Sequence, residues 1–408
     1  MHKILVSAYA VSPDQGSEPG LGWNWCVRLA ETYELYIVTE GEFRDRIEAA
    51  LPQLPQGKNM HFFYNPVSER VRKMCWNQGD WRFYVHYRKW QKKTLSIART
   101  ICREHPIELV HHLNMIGFRE PGYLWKIPGL PYVHGPINCK FEYPLSYWEG
   151  ASLRERLKIR LKDAISKFQM KHSGRFHQAI RRADAVITAS SDSRDLLKRY
   201  LGVESLMINE AGCDDILSVH RPFGGNGLDV LWVGRLALYT KRPDLAVKAV
   251  ACARNPRIRL HFVGPGDQRE LRALARKLGV EDACQWYGSL PHTEVLEMMR
   301  KMDAFLLTSL VEGTPHVVLE SIANGLPVVC FDTCGQGDVI DPDTGIKIPL
   351  TDPEDSVRRF AEVLGLLESR PELLRTLSAG CARRLPVLSW KSRIDRVKDI
   401  YEKLLVQS

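Results

Sequence analysis

The sequence predicts an α/β protein built from two parallel-sheet domains. Three observations point that way. Short β-rich apolar runs alternate with helix-patterned segments, as in successive βαβ units. The rhythm stops at 211–228, AGCDDILSVHRPFGGNGL, and then restarts. The chain has 408 residues, enough for two cores at roughly 100–200 residues per domain.

The first run is 3–9, KILVSAY. The opening residues MHKILVSAYA read as this strand and not as a signal peptide, because the apolar stretch is short and runs into polar VSPDQGSEPG. Runs at 35–39, 107–112, 131–134 and 185–189 complete a first domain expected over 1–210. Residues 211–228 are the expected linker. Runs at 229–233, 259–263, 303–308 and 327–331 define a second domain over 229–388. From Trp390 to Ser408, the spacing of Ile394, Val397, Ile400, Tyr401, Leu404 and Leu405 predicts a helix.

Composition narrows the class. Hydrophobic residues make up 44% and charged residues 26%, values of a folded soluble protein that exclude disorder, collagen and a small disulfide scaffold. No run approaches the ~18 apolar residues that span a bilayer. The ten cysteines form no CxxC and no Cys/His ligand pattern. This predicts reduced thiols in a cytoplasmic protein, with no metal site.

The net charge of +9 is uneven. Residues 69–103 hold ten Lys/Arg against two acids, and 151–182 hold the same numbers. The two stretches sum to +16, which leaves −7 elsewhere. A basic partner surface must therefore be local, and nucleic acid is not an expected partner. The first stretch carries Trp76, Trp81, Phe83, Tyr84, Tyr87 and Trp90. The second spaces Leu153, Leu157, Leu161 and Ile165 four apart among basic residues. That stripe either packs on the core or binds an anionic membrane surface or substrate.

In open parallel sheets ligands bind outside the carboxyl ends of the strands, so the loops there carry the chemistry. The richest is SLVEGTPHVVLESIANGLPVV, 309–329. Thr314 is the expected N-cap and Pro315 the first helical position. The helix should run on through Val317 to Asn324, with Gly325 at C′ and Pro327 preventing continuation. Its start favours an anion such as phosphate. Glu312 and Glu320 lie about 12 Å apart at ~1.5 Å per helical residue, suited to hydroxyls at two ends of a polyol. In 230–241, VLWVGRLALYTK, Arg235 and Lys241 follow a strand and can both meet phosphate oxygens. In 10–25, Gly16, Gly20 and Gly22 let backbone approach a ligand closely. In PYVHGP, 131–136, His134 sits at a strand end.

These segments together resemble the family-4 retaining glycosyltransferases. The resemblance rests on the Glu, seven residues, Glu signature, the Gly-Arg-Leu before a cation, GSEPGLGWNW in the first loop, and Arg119–Glu120–Pro121–Gly122. It implies the GT-B fold, two Rossmann-like domains facing across an interdomain cleft, with an N-terminal acceptor domain and a C-terminal donor domain. The helix at 389–408 would pack back on the first domain. Glu312 would bind donor-sugar hydroxyls and Glu320 the nucleotide ribose. Backbone N–H groups of Gly313, Thr314, Pro315's neighbours, His316 and Val317 would line the sugar and diphosphate pocket. Arg235 and Lys241 would hold the leaving diphosphate. Lys241 follows Arg235 by six residues, one more than the family pattern, and Arg242 stands where glycine is usual, so the role falls to Lys241 or to Arg242. Gly16 would face the donor phosphates and His134 the donor sugar. Glu18 would orient the first loop or touch acceptor. Gly264 belongs to a Gly-x-Gly loop, and Ser289 and Leu290 to the segment receiving the nucleobase.

The implied function is transfer of a sugar from a nucleotide-sugar donor, with retention and without metal or cofactor, to a glycan or lipid-linked acceptor in surface polysaccharide or glycolipid synthesis. The protein would be cytoplasmic, and peripheral at the inner membrane face if 69–103 and 151–182 bind it. A small soluble acceptor is the alternative. A non-catalytic nucleotide- or RNA-binding protein is the alternative of another class.

Overall fold

A computed structural model describes residues 1–77, 80–139, 144–148, 152–214, 223, 225 and 227–407. Most of the expected linker, including 215–222, lies outside the described residues. Two all-parallel sheets carry the fold. The first is formed by β1 (Lys3–Ala8), β2 (Glu34–Thr39), β3 (Met60–Tyr64), β4 (Leu109–Asn114), β5 (Tyr132–Ile137), β6 (Ala185–Thr188) and β7 (Leu206–Met207). Its order is β3-β2-β1-β4-β5-β6-β7. The second is formed by β8 (Leu228–Val233), β9 (Ile258–Val263), β10 (Cys284–Gly288), β11 (Ala304–Leu307), β12 (Val328–Phe331) and β13 (Gly345–Ile348). Its order is β10-β9-β8-β11-β12-β13. Each sheet therefore has one point where the winding reverses, between β1 and β4 and between β8 and β11.

The central strands are buried on both faces: Ile4, Leu5 and Val6 in the first sheet, Val230, Leu231 and Trp232 in the second. This is why they read as continuous apolar runs. Four strands escape the sequence reading, and all four are sheet edges: β3, β7, β10 and β13. Their residues are largely half-buried or exposed, so no apolar run marks them.

The chain divides into two compact units, Met1–Cys139 with Ile165–Glu210 and Trp390–Ser408, and Lys140–Ala164 with Ala211–Ser389. The segment Lys140–Ala164, expected in the first domain, thus belongs to the second. Tyr147 and Trp148 explain it, because both are buried in the second core. The Tyr147 hydroxyl bonds Ser356 Oγ at 2.6 Å and donates to the Asp352 carbonyl at 3.1 Å. The helix Trp390–Gln407 belongs to the first unit. The hydroxyl of its buried Tyr401 meets His111 Nδ1 at 2.5 Å, and Tyr33 donates to its Glu402 at 2.7 Å.

Candidate active site

The β8/β11 reversal collects most of the expected donor residues. After β8 the chain turns at Gly234, whose N–H bonds the Val263 carbonyl at 2.9 Å. Gly264 has φ +140, and a Cβ there would lie 1.9 Å from the Gly234 carbonyl oxygen. Gly264 is therefore a close-approach residue, and it sets the loop that carries Arg235. Arg235 itself is exposed.

The neighbouring cations separate. Arg242 adopts φ +51 at the start of helix Pro243–Ala253. Its buried guanidinium grips Asp244 through two 2.8 Å bonds and also donates to the Tyr147 carbonyl. All three of its nitrogens donate inside the second unit. Lys241 points the other way and pairs with Glu312. The two loops are also tied through backbone. Thr308 Oγ1 donates to the Lys241 carbonyl at 2.9 Å and accepts from Trp232 Nε1 at 3.0 Å, and Leu310 N–H bonds Thr240 at 3.0 Å.

The loop carrying Glu312 is held from behind by the short helix Cys334–Val339 that follows β12. Gln336 Nε2 donates to the Ser309 carbonyl at 3.0 Å. A Cβ on Gly335 would lie 2.0 Å from the Gly313 carbonyl oxygen. Gly335 and Gln336 are supporting residues that the sequence reading missed, because nothing local links 334–337 to 309–315. The helix then begins one residue later than expected, at His316, and ends at Ala323. Pro315, extended at φ −70 and ψ 116, is the N-cap in place of Thr314, and no side chain caps this end. The N–H groups of His316 and Val317 thus have no helical acceptor. Gly325 closes the helix at φ +66, as expected.

Glu320 faces the next loop. Its Oε1 meets His292 Nε2 at 2.8 Å. His292 opens helix His292–Lys301, directly after exposed Ser289 and half-buried Leu290. The sequence reading did not single out His292, whose partner is 28 residues away. The second unit therefore brings Arg235, Lys241, Glu312, residues 313–317, Glu320, Ser289 and Leu290 to the carboxyl ends of β8, β10 and β11.

The first unit has its own reversal. Gly16 is the exposed N-cap of helix Ser17–Leu29, and a Cβ there would meet nothing within 4 Å. Gly20 and Gly22 differ, since Cβ atoms would fall 2.2 Å from the Gln15 oxygen and 2.3 Å from the Ala10 oxygen. Glu18 Oε1 accepts from Ile116 N–H at 3.1 Å, while buried Oε2 has no partner. Burial pushes the Glu18 carboxyl up to about 7, and the nearby Glu210 charge adds to this.

His134, expected to face the donor sugar, lies in β5 with its ring buried, stacked on His112 at 4.8 Å and sharing a 2.5 Å hydrogen bond with Tyr132. Burial, and then the neighbouring His112 and His111, hold it well below the usual imidazole range. His111 and His112 are likewise held neutral by burial, at about 4 and about 3.

Two Rossmann-like parallel-sheet units in one chain make this a GT-B fold. Residues 219–375 match the family model for glycosyl transferases, group 1. The D-inositol 3-phosphate glycosyltransferase of Thermomonospora curvata is 31% identical over 185 residues, covering 42% of this chain and 42% of the relative. The putative colanic acid biosynthesis glycosyltransferase WcaL of Salmonella typhimurium is 29% identical over 202 residues, covering 46% and 49%. These matches thus span about half or less of the relatives' own lengths. Anabaena Alr3699/HepE, solved in complex with UDP, has a TM-score of 0.62 over 99% of this chain and 100% of its own, at 14% identity.

Proposed function

We propose that this protein is a retaining glycosyltransferase that moves a sugar from a nucleotide-sugar donor to a glycan or lipid-linked acceptor, in surface polysaccharide or glycolipid assembly. One observation carries the reading: Lys241 and Glu312 meet at the β8/β11 reversal, with Glu320 and His292 at the next loop. Two carboxylates, two cations and an uncapped helix start at the carboxyl ends of one sheet's strands suit a sugar nucleotide from end to end. Glu312 binds sugar hydroxyls, and Glu320 with His292 binds the ribose. Arg235, Lys241 and the N–H groups of His316 and Val317 take the diphosphate.

Preorganised positive charge lowers the barrier as the leaving group departs. The bond from the anomeric carbon to the diphosphate oxygen breaks, and the electron pair stays on that oxygen. The acceptor hydroxyl bonds the anomeric carbon on the same face and passes its proton to the leaving diphosphate. Lys241 is shared between Glu312 and the diphosphate, so donor binding draws it onto the phosphate and frees Glu312 for the sugar. The UDP complex of the Anabaena neighbour makes uridine donors the first choice for trial. The WcaL relative supports a polysaccharide acceptor, and the inositol-phosphate enzyme supports a small one.

The test is turnover of a panel of UDP-sugars by the wild type and by Glu312→Ala. We expect the variant to lose on the order of 10²–10³ in kcat, the usual cost of a lost transition-state contact. Unchanged turnover would overturn the catalytic reading. Full activity on water-soluble acceptors without lipid would favour the small-acceptor alternative.

A further inference from the structure

The Leu153–His172 helix answers the question the sequence left open about its apolar stripe. Leu153, Leu157, Leu161, Ile165 and Phe168 are 85%, 68%, 58%, 46% and 66% exposed. Steps of four, four, four and three keep them on one outward strip of the helix. Its inner side is set by buried Ile159, Ser166 and Met170. The stripe does not pack on the core.

The charges flank it. Exposed Arg154, Lys158 and Lys162 each follow a stripe leucine by one residue, about 100° round the helix on one side. Exposed Arg160, Lys167 and Lys171 run along the other side. Glu155 serves the helix start, where its carboxylate accepts from Ser152 N–H at 2.8 Å and from its hydroxyl at 2.9 Å. Next to the carboxyl half, Arg119 donates to Ser166 at 2.5 Å and lies 6.0 Å over the Tyr84 ring. Tyr84 belongs to the first turn of helix Arg82–Glu104, and the preceding Trp81 is 72% exposed.

We infer that the Leu153–His172 helix is a docking element that lies in the surface of an anionic lipid bilayer, its stripe sunk among the acyl chains and its basic flanks on the headgroups. A strip of aliphatic and aromatic side chains between two basic rows is the pattern of an in-plane amphipathic helix. No helix among the described residues is long and apolar enough to cross a membrane. A second copy is a poor occupant, because pairing two such helices would bring basic rows together. Nucleic acid would leave the central apolar strip without a partner.

The inference deepens the lipid-linked reading of the acceptor but is tested without any donor or acceptor. The full chain is mixed with vesicles of phosphatidylcholine alone or with one third phosphatidylglycerol, and co-sedimentation is measured. We expect at least tenfold stronger partition onto the anionic vesicles, weakening as salt rises. Leu157→Glu with Leu161→Glu should abolish it while leaving thermal stability and UDP-sugar turnover unchanged, since both side chains face water. Arg154→Ala with Lys158→Ala should weaken it several-fold. Glu312→Ala should bind vesicles like the wild type, so failure of the catalytic reading and failure of this one remain distinct. Absence of anionic preference would overturn the proposal. So would equal binding by the double-Glu variant. Dimers that the double-Glu variant dissociates, without vesicle binding, would assign the stripe to a second copy and also overturn it.

Discussion

At Lys241 and Arg242, two adjacent cations have different partners, Glu312 and Asp244. Arg242 is enclosed with Asp244, so Arg242→Ala removes the two-bond partner of a buried carboxylate and leaves it only Lys248, at 3.1 Å. Breaking a buried pair from one side costs ~3 kcal/mol or more. Differential scanning fluorimetry should show a large fall in Tm. Lys241→Ala should instead leave Tm close to wild type and lower kcat on the order of 10²–10³. Glu18 gives a prediction in pH. Its carboxyl is raised from about 4.5 to about 7 by burial, so folding favours the protonated form. The burial costs nothing below about pH 4.5, and its cost grows as pH rises toward 7. Glu18→Gln should therefore match wild type in stability near pH 4.5 and exceed it at pH 8, by ~3 kcal/mol. A variant no more stable at pH 8 would remove the buried-carboxylate account. At this scale the sequence exposes residues that sit in Gly- and Pro-marked loops, such as Glu312 and Glu320. It hides whatever depends on a distant partner: the stacking of His134 on His112, the Tyr147 contact that fixes Arg242, and His292 on Glu320.

At the scale of elements, legibility follows burial. Central strands carry apolar residues on both faces and stand out in the sequence. The edges β3, β7, β10 and β13 meet solvent along one side and leave no such trace. Helix ends are less legible, because a shift of one residue at Pro315 depends on its backbone angles. The glycines of two loops separate packing from function. Gly264→Ala would set a Cβ against the Gly234 oxygen at a φ of +140. Such overlap plus backbone strain costs ~3 kcal/mol, so both Tm and donor affinity should fall. Gly16→Ala adds a methyl where nothing lies within 4 Å, at φ −79. Its stability should stay within ~1 kcal/mol of wild type. If Gly16 lies against the donor phosphates, the loss will appear as a raised KM for donor at unchanged Tm. An unchanged KM would place Gly16 outside the donor site.

At the scale of the whole molecule, chain order and spatial order differ at two places. Residues 144–148 add Tyr147 and Trp148 to the second core. The last helix, Trp390–Gln407, is part of the first unit. The helix was legible from its spacing, but what it covers could be inferred only through the family resemblance, because Tyr401 and His111 are 290 residues apart. The same helix sends Arg396 to the Met207 carbonyl at 2.7 Å beside the edge strand β7, and its Trp390 ring lies 5.1 Å under Arg28. Removing Trp390–Ser408 would uncover the first unit's sheet and leave His111 and Tyr33 without these partners. Because each unit has its own core, the damage should be confined to one of them. Thermal unfolding of a chain ending at Ser389 should therefore show the first unit's transition lowered by roughly 10 °C or more, with the second unit's transition kept. Amide hydrogen exchange read by mass spectrometry checks the assignment: protection should be lost from β1, β4 and β5 and retained in β8, β9 and β11. Uniform loss across both sheets would mean that the units do not fold separately.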